Sequence, residues 1–386
     1  MTTRRNVLMI LGGGMIAAAG GAGGWAMTRE AASARAPWRD AQAMSPQEAA
    51  DARIFALAHA ILAPNPHNRQ PWIADLSVAD EVTLYCQADR HLPHTDPFDR
   101  QIVIGLGCFC ELLVMAAAET GHRVDADFFP DGEPFPTLDD RPVARFRFIA
   151  DANIARNPLF AHVHDRRTNR EPFDTDRAVP AETLIAVAAV ARTARADHTA
   201  GETRVAELRG LAWEAMELEL STYRTAKESI DLLRIGKAEI EANPDGISIE
   251  GPLMEGLDRL GLMSRQDMLD TSTTVYRQQL AALRPGFDTA MAFLWLATSG
   301  NGRADQIAAG RDYVRVHLAA TGAGLALQPM SQALQEYDEM ADPFARMRRT
   351  LAIKGDETLQ MFARLGYGPA VKAAPRWPLA TRIRSA

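Results

Sequence analysis

Cysteine is scarce in this chain, with three in 386 residues. So few cysteines exclude the disulfide framework on which small secreted domains depend. Cys108 and Cys110 lack the spacing of metal ligands and lie in an apolar run that reads as a helix. We therefore predict that they and Cys86 are buried core thiols, and a single disulfide bridge stays open as the alternative.

An excess of basic charge is also missing. The formal net charge is −7 at pH 7, and residues 1–34 carry a net +2, so the rest carries −7 − 2 = −9. An acidic chain is a poor general partner for nucleic acid or for an anionic membrane. The 386 − 34 = 352 residues that remain are enough for one large domain or two ordinary ones.

Several motifs of well-known enzyme classes are absent. The sequence has no G-x-S-x-G elbow and no H-E-x-x-H. Gly105-x-Gly107 has Cys110 where a dinucleotide-binding fingerprint needs its third glycine. The histidines near Asp96 and Asp165 lie in polar loops, which favours surface groups over metal ligands. We predict neither a metal site nor a dinucleotide-binding fold.

The N-terminus has the pattern of an export signal. Arg4 and Arg5 precede a Gly/Ala-rich apolar run to Met27, and a small-residue A-x-A site ends at Ala34. This pattern resembles a twin-arginine signal over residues 1–34, which predicts a periplasmic protein and the twin-arginine machinery as a partner. The alternative is a retained membrane anchor, because residues 6–27 are 22 long.

Helical and extended patterns alternate along the rest of the chain, which predicts an α+β fold. We predict a linker over residues 37–44, a helix that starts at the N-cap Ser45, and a central apolar helix over residues 101–120. A second unit begins at Asn157, so the predicted units are residues 45–150 and 157–384. The predicted strands are 72–78, 82–86, 124–129, 143–149 and 290–297, and the further predicted helices lie within 158–167, 180–191, 202–234, 254–283 and 305–322.

An internal repeat links the two units. The segment from Gly107 to Gly121 matches the segment from Gly310 to Gly324 at a constant offset of 203, with Ala116 and Ala117 recurring as Ala319 and Ala320. We predict a duplicated α+β unit whose second copy is enlarged by a helical insertion near 215–285. Such an insertion could cover a site as a lid.

A dense polar corner follows the first helix. It contains Pro64, Asn65, Pro66, Asn68 and Gln70, just before Trp72 opens an extended segment. The prolines fix φ and stop the helix, and the amides can donate and accept hydrogen bonds. Such a corner can hold a planar heteroaromatic ligand. His67 lies within it, where contact with a ligand and a packing role are both open.

Arginines form the other dense motif. Arg166, Arg167 and Arg170 surround Thr168 at a predicted helix-to-loop junction. Guanidinium groups bind phosphate with paired hydrogen bonds, and a hydroxyl adds a further donor. Arg376 near the C-terminus could complete such a phosphate site; the alternative is a tail held by packing.

Together these motifs resemble the nitroreductase-like superfamily of FMN proteins. That family combines an Arg-Arg/His-Ser/Thr-x-Arg/Lys motif, a Pro-Ser-x-x-Asn-x-Gln-Pro-Trp corner and a basic residue near the C-terminus. Here the corner precedes the arginine motif, as in the Acg-type subgroup, in which one chain imitates the two-subunit enzyme. The chain departs from the family where Asn65 and Pro66 replace serines and where Ala374 replaces a basic residue.

The resemblance implies FMN as the cofactor and a nitroreductase-like fold of two fused repeats. Thr273-Thr274-Val275, at the repeat offset from Gln70-Pro71-Trp72, carries no second corner. We therefore expect one FMN per chain, in a monomer that acts as a pseudo-dimer. The implied FMN contacts are Pro64, Asn65, Pro66, Asn68, Gln70, Arg166, Arg167, Thr168, Arg170, Gln328, Pro329, Met330 and Arg376.

The implied function is hydride transfer through the flavin to an electron-poor small molecule such as a nitroaromatic or a quinone. The flavin does the chemistry in this family, so no catalytic side chain is predicted. The electron donor stays open, because an exported protein meets little NAD(P)H. The alternative function is flavin binding or sequestration without catalysis, in a site closed by the helical insertion.

Overall fold

A computed structural model describes residues 30–384. The predicted twin-arginine pair and its apolar run lie outside these residues. Of the predicted signal, only residues 30–34 are described, and Ala31 and Ala34 are buried there against Ile240.

The first half of the chain forms an antiparallel sheet with a long apolar helix against it. The strands occur in the order β1-β2-β4-β3. The apolar positions of β2 are buried and its polar ones are partly exposed, as in a strand with one face on the core. The bounds are α1 Ala36–Ala43, α2 Ala52–Ala60, β1 Trp72–Asp75, β2 Glu81–Cys86, α3 Arg100–Glu119, β3 His122–Phe128 and β4 Ala144–Ala150.

A helical insertion separates the first strand of the second half from the rest of its sheet. It spans residues 202–288, wider than the predicted 215–285, and it has a small apolar core of its own. The elements from the start of the second half to the end of the insertion are α4 Ala181–Ala188, β5 Arg195–Thr199, α5 Glu202–Ser221, α6 Tyr223–Asp231, β6 Leu233–Ile235, α7 Gly236–Ala242, β7 Ile247–Ile249, α8 Pro252–Arg259, α9 Arg265–Leu269 and α10 Thr274–Asp288.

The second sheet repeats the first. Its strands are antiparallel in the order β5-β8-β10-β9. The remaining bounds are β8 Ala292–Thr298, α11 Arg303–Gly322, β9 Ala326–Pro329, α12 Ala341–Thr350 and β10 Thr358–Gly366. Matching β1, β2, β3 and β4 to β5, β8, β9 and β10 gives the same order in both sheets, with α3 and α11 in equivalent places. The predicted α+β class and duplicated layout are therefore confirmed.

The two long helices cross at the repeated glycines. A Cβ on Gly310 would overlap the carbonyl oxygen of Ile104, and a Cβ on Gly107 would overlap the carbonyl oxygen of Ile307. Ile104 and Ile307 are themselves related by the offset of 203. The contact is therefore reciprocal, as in the interface of a two-fold dimer, but within one chain.

The offset of 203 does not extend to the corner. Residues 273–275 fall at the start of α10 in the insertion, whereas the strand equivalent to β1 is β5. Residues 273–275 therefore carry no corner, as the sequence indicates, but they are not the structural equivalent of residues 70–72. The segment before β5, residues 189–194, has the sequence Ala-Val-Ala-Arg-Thr-Ala and carries neither an amide nor a proline.

Several local predictions also differ from the structure. The predicted linker at 37–44 is α1, which buries Trp38 and Ala41. Helix α2 begins later than expected, because Asp51 accepts a hydrogen bond from the Arg53 amide as its N-cap. The predicted helix at 158–167 is a short 3-10 segment, Pro158–His162.

The three cysteines are buried and unpaired, as predicted. Two of them lie on α3, whose length and apolar composition would allow it to cross a membrane. Most of α3 is buried within the protein, and a core helix meets the same test. Within residues 30–384, no group of three or more His, Cys, Asp or Glu side chains has the arrangement of a metal site.

Candidate functional site

The polar corner is a strained turn between α2 and β1. His67, Asn68 and Gln70 have φ values of 47°, 51° and 51°, a left-handed conformation that non-glycine residues rarely adopt. Gly105 of α3 packs closely against this turn, since a Cβ at Gly105 would lie 3.0 Å from the Asn65 Cβ. Strain of this kind persists only where surrounding contacts fix the backbone, and it occurs often at ligand sites.

The amide side chains of the corner supply those contacts. Asn65 Oδ1 accepts from the Gln70 amide at 2.7 Å. Gln70 Nε2 donates to Pro244 O in the insertion at 2.8 Å, and Gln70 Oε1 accepts from the Trp377 amide at 2.9 Å. Asn68 Nδ2 donates to Pro375 O at 3.0 Å. The predicted ligand-facing amides therefore bind the corner to the insertion and to the C-terminal segment.

The arginine motif lies along the edge of the second sheet. Thr168 forms a parallel bridge with Leu327 of β9, and the Asn169 amide donates to Leu327 O at 3.0 Å. The buried Arg364 of β10 donates to the carbonyl oxygens of Asn169 and Glu171. These bonds hold the motif in an extended conformation beside β9.

The two predicted phosphate arginines converge although they are far apart in sequence. Arg166 Nη2 and Arg376 Nη2 donate to the same carbonyl oxygen, Leu62 O, at 2.9 and 3.1 Å. Leu62 lies just beyond the end of α2, where helix carbonyls lack partners within the helix. The structure thus places a residue of the second repeat and one of the C-terminal segment at the start of the corner.

A tryptophan that the sequence did not identify lies at the centre of this arrangement. The guanidinium carbons of Arg166, Arg167 and Arg376 are 5.8, 4.8 and 5.5 Å from the centre of the Trp38 ring. Trp38 Nε1 donates to Ala374 O at 2.9 Å. Cations over an indole face are stabilised by its quadrupole, so Trp38 helps three like charges to lie together. We call Arg166, Arg167, Arg376 and Trp38 the arginine cluster.

No carboxylate among the described residues is paired with this cluster, although Asp165 acts on Arg167 without forming an ion pair. Among residues 30–384, none of its three arginines forms an ion pair. Burial lowers the pKa of Arg166 to about 10. Burial, and then the charges of Arg166 and Arg167, hold the pKa of Arg376 well below its ordinary value. Buried positive charge without a paired carboxylate favours the binding of an anion.

The arginines differ in how many donors they keep free for such an anion. All five N–H groups of Arg376 are used by protein acceptors: Ile61 O, Leu62 O, Ala63 O, Asn68 Oδ1 and Pro375 O. Arg166 uses one N–H group on Leu62 O. Arg167 uses one nitrogen, on His164 O and Arg166 O. Arg376 therefore contributes charge and rigidity, whereas Arg166 and Arg167 keep donors for a ligand.

Arg170 is the most available cation of the motif. It forms no hydrogen bond or ion pair with any residue from 30 to 384, and it is exposed. Burial nevertheless lowers its pKa. The side chain itself is accessible to solvent. Thr168, also exposed, lies beside it.

Residues 328–330 lie on the other side of the motif. Gln328 Oε1 accepts from Arg364 at 2.7 Å, which leaves its amide nitrogen available. Met330 is buried in the apolar core beside the second sheet. Contacts of this strand with FMN, like those of the corner and the arginines, stay a prediction.

A polar chain connects the corner to the insertion. His67 Nε2 is 3.0 Å from Ser229 Oγ, and Ser229 Oγ is 3.0 Å from Glu219 Oε1. Sequence reasoning identified His67 but neither of its partners, because Glu219 and Ser229 lie on helices whose charged residues look like a solvated face. Only the burial of both side chains distinguishes them.

The chain is similar in sequence to two curated proteins, from two strains of Mycobacterium tuberculosis, that bear the name "Putative NAD(P)H nitroreductase". It is 25% identical to each over 336 residues, which cover 84% of this chain and 88% of the relative. A match of that length includes parts of both repeats. No protein-family model matches the chain.

Solved structures give weaker likenesses, with TM-scores too low to carry an argument about activity. NfnB, an FMN-dependent nitroreductase from Mycobacterium smegmatis in complex with NADPH, is 22% identical at a TM-score of 0.35 and covers 57% of this chain and 95% of its own. A nitroreductase with bound FMN from Desulfitobacterium hafniense is 14% identical at a TM-score of 0.35, and the match covers 60% of this chain and 100% of that protein. Iodotyrosine deiodinase bound to FMN and 3-iodo-L-tyrosine is 16% identical at 0.34, covering 57% and 94%.

Proposed function

We propose that this chain is a nitroreductase-like, FMN-dependent oxidoreductase of the Acg type, with one composite cofactor site. The observation that carries the proposal is the arginine cluster: three guanidinium groups that form no ion pair with the described residues, beside a strained corner from the other repeat. The similarity to curated proteins named as nitroreductases supports the same conclusion.

The donors of the site fit the parts of FMN. A phosphate carries a charge of about −1.5 to −2, and Arg166 and Arg167 keep N–H groups for it in a positive environment that Arg376 strengthens. The Thr168 hydroxyl is exposed beside them. Arg170 has no protein partner among residues 30–384 and would face the part of the ring system that gains negative charge. The main chain of the corner, rather than its amide side chains, would form the opposite wall.

When bound, FMN would supply hydride acceptance and donation. The chain's own residues would then bind, orient and exclude water. Arg170 would stabilise negative charge, which a preorganised cation does most strongly where water is partly excluded. The corner itself is anchored on the core by the buried Pro64 and by Trp72, which packs against Phe109. The acceptor we propose is a flat, electron-poor small molecule such as a nitroaromatic or a quinone.

Cofactor binding is tested by purifying the protein and measuring its flavin absorbance and FMN affinity. We expect the yellow protein to bleach when NADPH or dithionite is added without oxygen, and to recover colour with a nitroaromatic. Arg166→Ala should weaken FMN binding by about tenfold to a hundredfold, the cost of losing a charge-assisted contact. The exposed Arg156→Ala is the matched control and should leave affinity unchanged. A protein that cannot be loaded with FMN would refute the proposal.

A second candidate function is flavin sequestration without turnover. Trp38 lies against all three arginines of the cluster, and the insertion is bonded to the corner through Pro244, so the site is covered from two sides. Bound FMN that dithionite reduces but that never passes electrons to a nitroaromatic or a quinone would favour this function over the enzyme.

We also propose that the chain is exported by the twin-arginine pathway and acts as a monomeric pseudo-dimer. The paired Arg4 and Arg5 support export, and the reciprocal crossing of α3 and α11 supports the monomer. Replacing both arginines by lysine should keep the protein in the cytoplasm, as shown by cell fractionation. Light scattering of the purified protein should give the mass of one chain; a dimer would contradict the second part.

A further inference from the structure

The polar chain that leaves the corner consists of groups that can pass a proton. Its members, His67, Ser229 and Glu219, come from the corner and from two helices of the insertion, α6 and α5. The two hydrogen bonds of the chain are each 3.0 Å long. Gln335 Nε2 holds the other oxygen of Glu219 at 2.8 Å. Each atom along the chain is therefore at hydrogen-bond distance from the next.

The His67 end of the polar chain has a ring nitrogen that the described residues do not satisfy. His67 Nδ1 is buried and has no hydrogen-bond partner among residues 30–384. An unpaired ring nitrogen is costly to bury, so such an atom calls for an explanation. Arg170 is close enough to His67 for the charge of one to affect the other. The free nitrogen thus belongs to the corner that faces the proposed cofactor site.

We propose that Glu219, Ser229 and His67 form a proton-transfer chain that delivers a proton to the acceptor substrate from His67 Nδ1. The proposal rests on the proposed oxidoreductase function. In this proposal the bound substrate contacts His67 Nδ1, which makes His67 a catalytic residue, and Ser229 and Glu219 act through it. No oxidant or reductant is needed, because only protons move along the chain.

Each proton moves one position along the chain. Before transfer, Glu219 donates its carboxyl proton in a hydrogen bond to Ser229 Oγ, Ser229 donates to His67 Nε2, and His67 carries its proton on Nδ1. The Nδ1–H bond then breaks toward a substrate oxygen that has become basic. Nε2 gains the Ser229 proton and Ser229 gains the Glu219 proton, which leaves Glu219 as a carboxylate and His67 as the other neutral tautomer. The start is restored when Nδ1 takes up a proton from solvent, Nε2 returns its proton to Ser229 and Ser229 returns its proton to Glu219.

The neighbouring charges suit this step. Burial raises the pKa of Glu219 to about 7; Gln335 and Ser229 oppose the rise and Glu228 adds to it. Burial, and then Arg170 and Arg69, lower the pKa of His67 to about 4. His67 is therefore neutral near pH 7, as a tautomer exchange requires, and the carboxyl can be both donor and acceptor there. Tyr337 also faces Glu219.

The first test needs no turnover. Nitrogen-15 NMR of histidine-labelled, full-length protein reports which nitrogen of His67 carries the proton, with His67→Asn to assign the signal. We expect the proton on Nδ1 at pH 5 and on Nε2 at pH 9. In Glu219→Gln this change with pH should disappear, whereas Glu217→Gln, exposed on the same helix, should keep it. A His67 tautomer that is constant in the unmutated protein would overturn the chain.

The second test measures the contribution to turnover. Ser229→Ala breaks the chain in its middle, so kcat with a nitroaromatic should fall about tenfold to a hundredfold, a modest share of what general acids supply. FMN affinity should not change, and Ser229→Thr, which keeps the hydroxyl, should restore most of kcat. An unchanged kcat in Ser229→Ala would refute the catalytic role.

The two proposals fail in different ways. A tautomer change in a protein that never binds FMN would leave the proton chain intact and refute the oxidoreductase. A protein that binds and reduces FMN but shows a constant His67 tautomer would leave the oxidoreductase intact and refute the chain.

Discussion

The reciprocal crossing of α3 and α11 predicts a large cost for one methyl group. In Gly310→Ala, the new Cβ would lie 2.8 Å from the Ile104 carbonyl carbon and 2.9 Å from Gly107 Cα. Ordinary carbon contacts are about 3.5–4 Å, and the Ile104 carbonyl oxygen is nearer still, so the helices must separate by at least about 0.7 Å. A gap of that size forfeits about a quarter to a half of each dispersion contact along the crossing.

We therefore expect Gly310→Ala to lower the free energy of unfolding by about 3 kcal/mol or more, at the upper end of overpacking effects. Gly107→Ala should act in the same way, because its Cβ would meet the backbone of Ile307. The double variant should cost less than the sum, since helices already separated by the first methyl group have room for the second.

Chemical denaturation followed by circular dichroism measures these effects. Gly210→Ala is the matched control: it lies inside helix α5, and a Cβ there would meet nothing within 4 Å. Removing an unneeded glycine from a helix should stabilise the protein by about 0.5–1 kcal/mol. A Gly310→Ala protein as stable as Gly210→Ala, or strictly additive costs in the double variant, would refute the reciprocal crossing.

Three further predictions concern the site. Trp38→Ala should speed FMN uptake by the apoprotein in stopped-flow fluorescence, because the Trp38 ring lies over the three arginines of the cluster. An unchanged rate would show that the ring does not limit access to them. Arg376→Lys should cost at least about 2 kcal/mol in denaturation, since three donors cannot replace five and each lost bond is worth about 1 kcal/mol. Burial raises the pKa of Glu219 from 4.5 to about 7, so the folded state loses stability as this carboxyl ionises. The free energy of unfolding should be highest below pH 4.5 and should fall by about 3 kcal/mol as the pH rises through 7. Glu219→Gln should therefore match the unmutated protein at pH 4 and exceed it in stability at pH 8, and an equal difference at both pH values would contradict the assignment.

The elements with strong patterns were predictable from the sequence, and the polar ones were not. Helix α3 is apolar on nearly every face and is the buried helix that its composition predicts. Strand β5, with the sequence Arg-Ala-Asp-His-Thr, lies at a sheet edge and no residue in it is fully buried, so it lacks the alternation that marks a strand. Strand β10 has a bulge between Leu359 and Met361, which shifts the register that an alternating pattern would show.

The site was predictable as two local motifs but not as an assembly. The corner and the arginine motif are dense clusters that any reading of the sequence meets. The sequence does not show which N–H donors of these arginines are free, because their hydrogen-bond partners are distant in the chain. Arg376 and Arg166 are both arginines of the expected type, yet one has five protein acceptors and the other has one. The role of Trp38 was hidden for the same reason, in a segment whose composition resembles a linker.

The insertion explains why a duplicated fold would carry one site rather than two. The insertion lies between β5 and β8 of the second repeat. The equivalent strands of the first repeat, β1 and β2, are joined by a short connection. From the insertion, Asp245 reaches across to Arg69 and Arg90, which flank the corner of the first repeat, at 3.3 and 3.0 Å. The segment before β5 has no amides with which to build an equivalent corner. Two-fold symmetry therefore persists where the helices cross and is lost at the ligand-facing turns. On this reasoning, titration should give one FMN per chain, and a second equivalent of comparable affinity would contradict it.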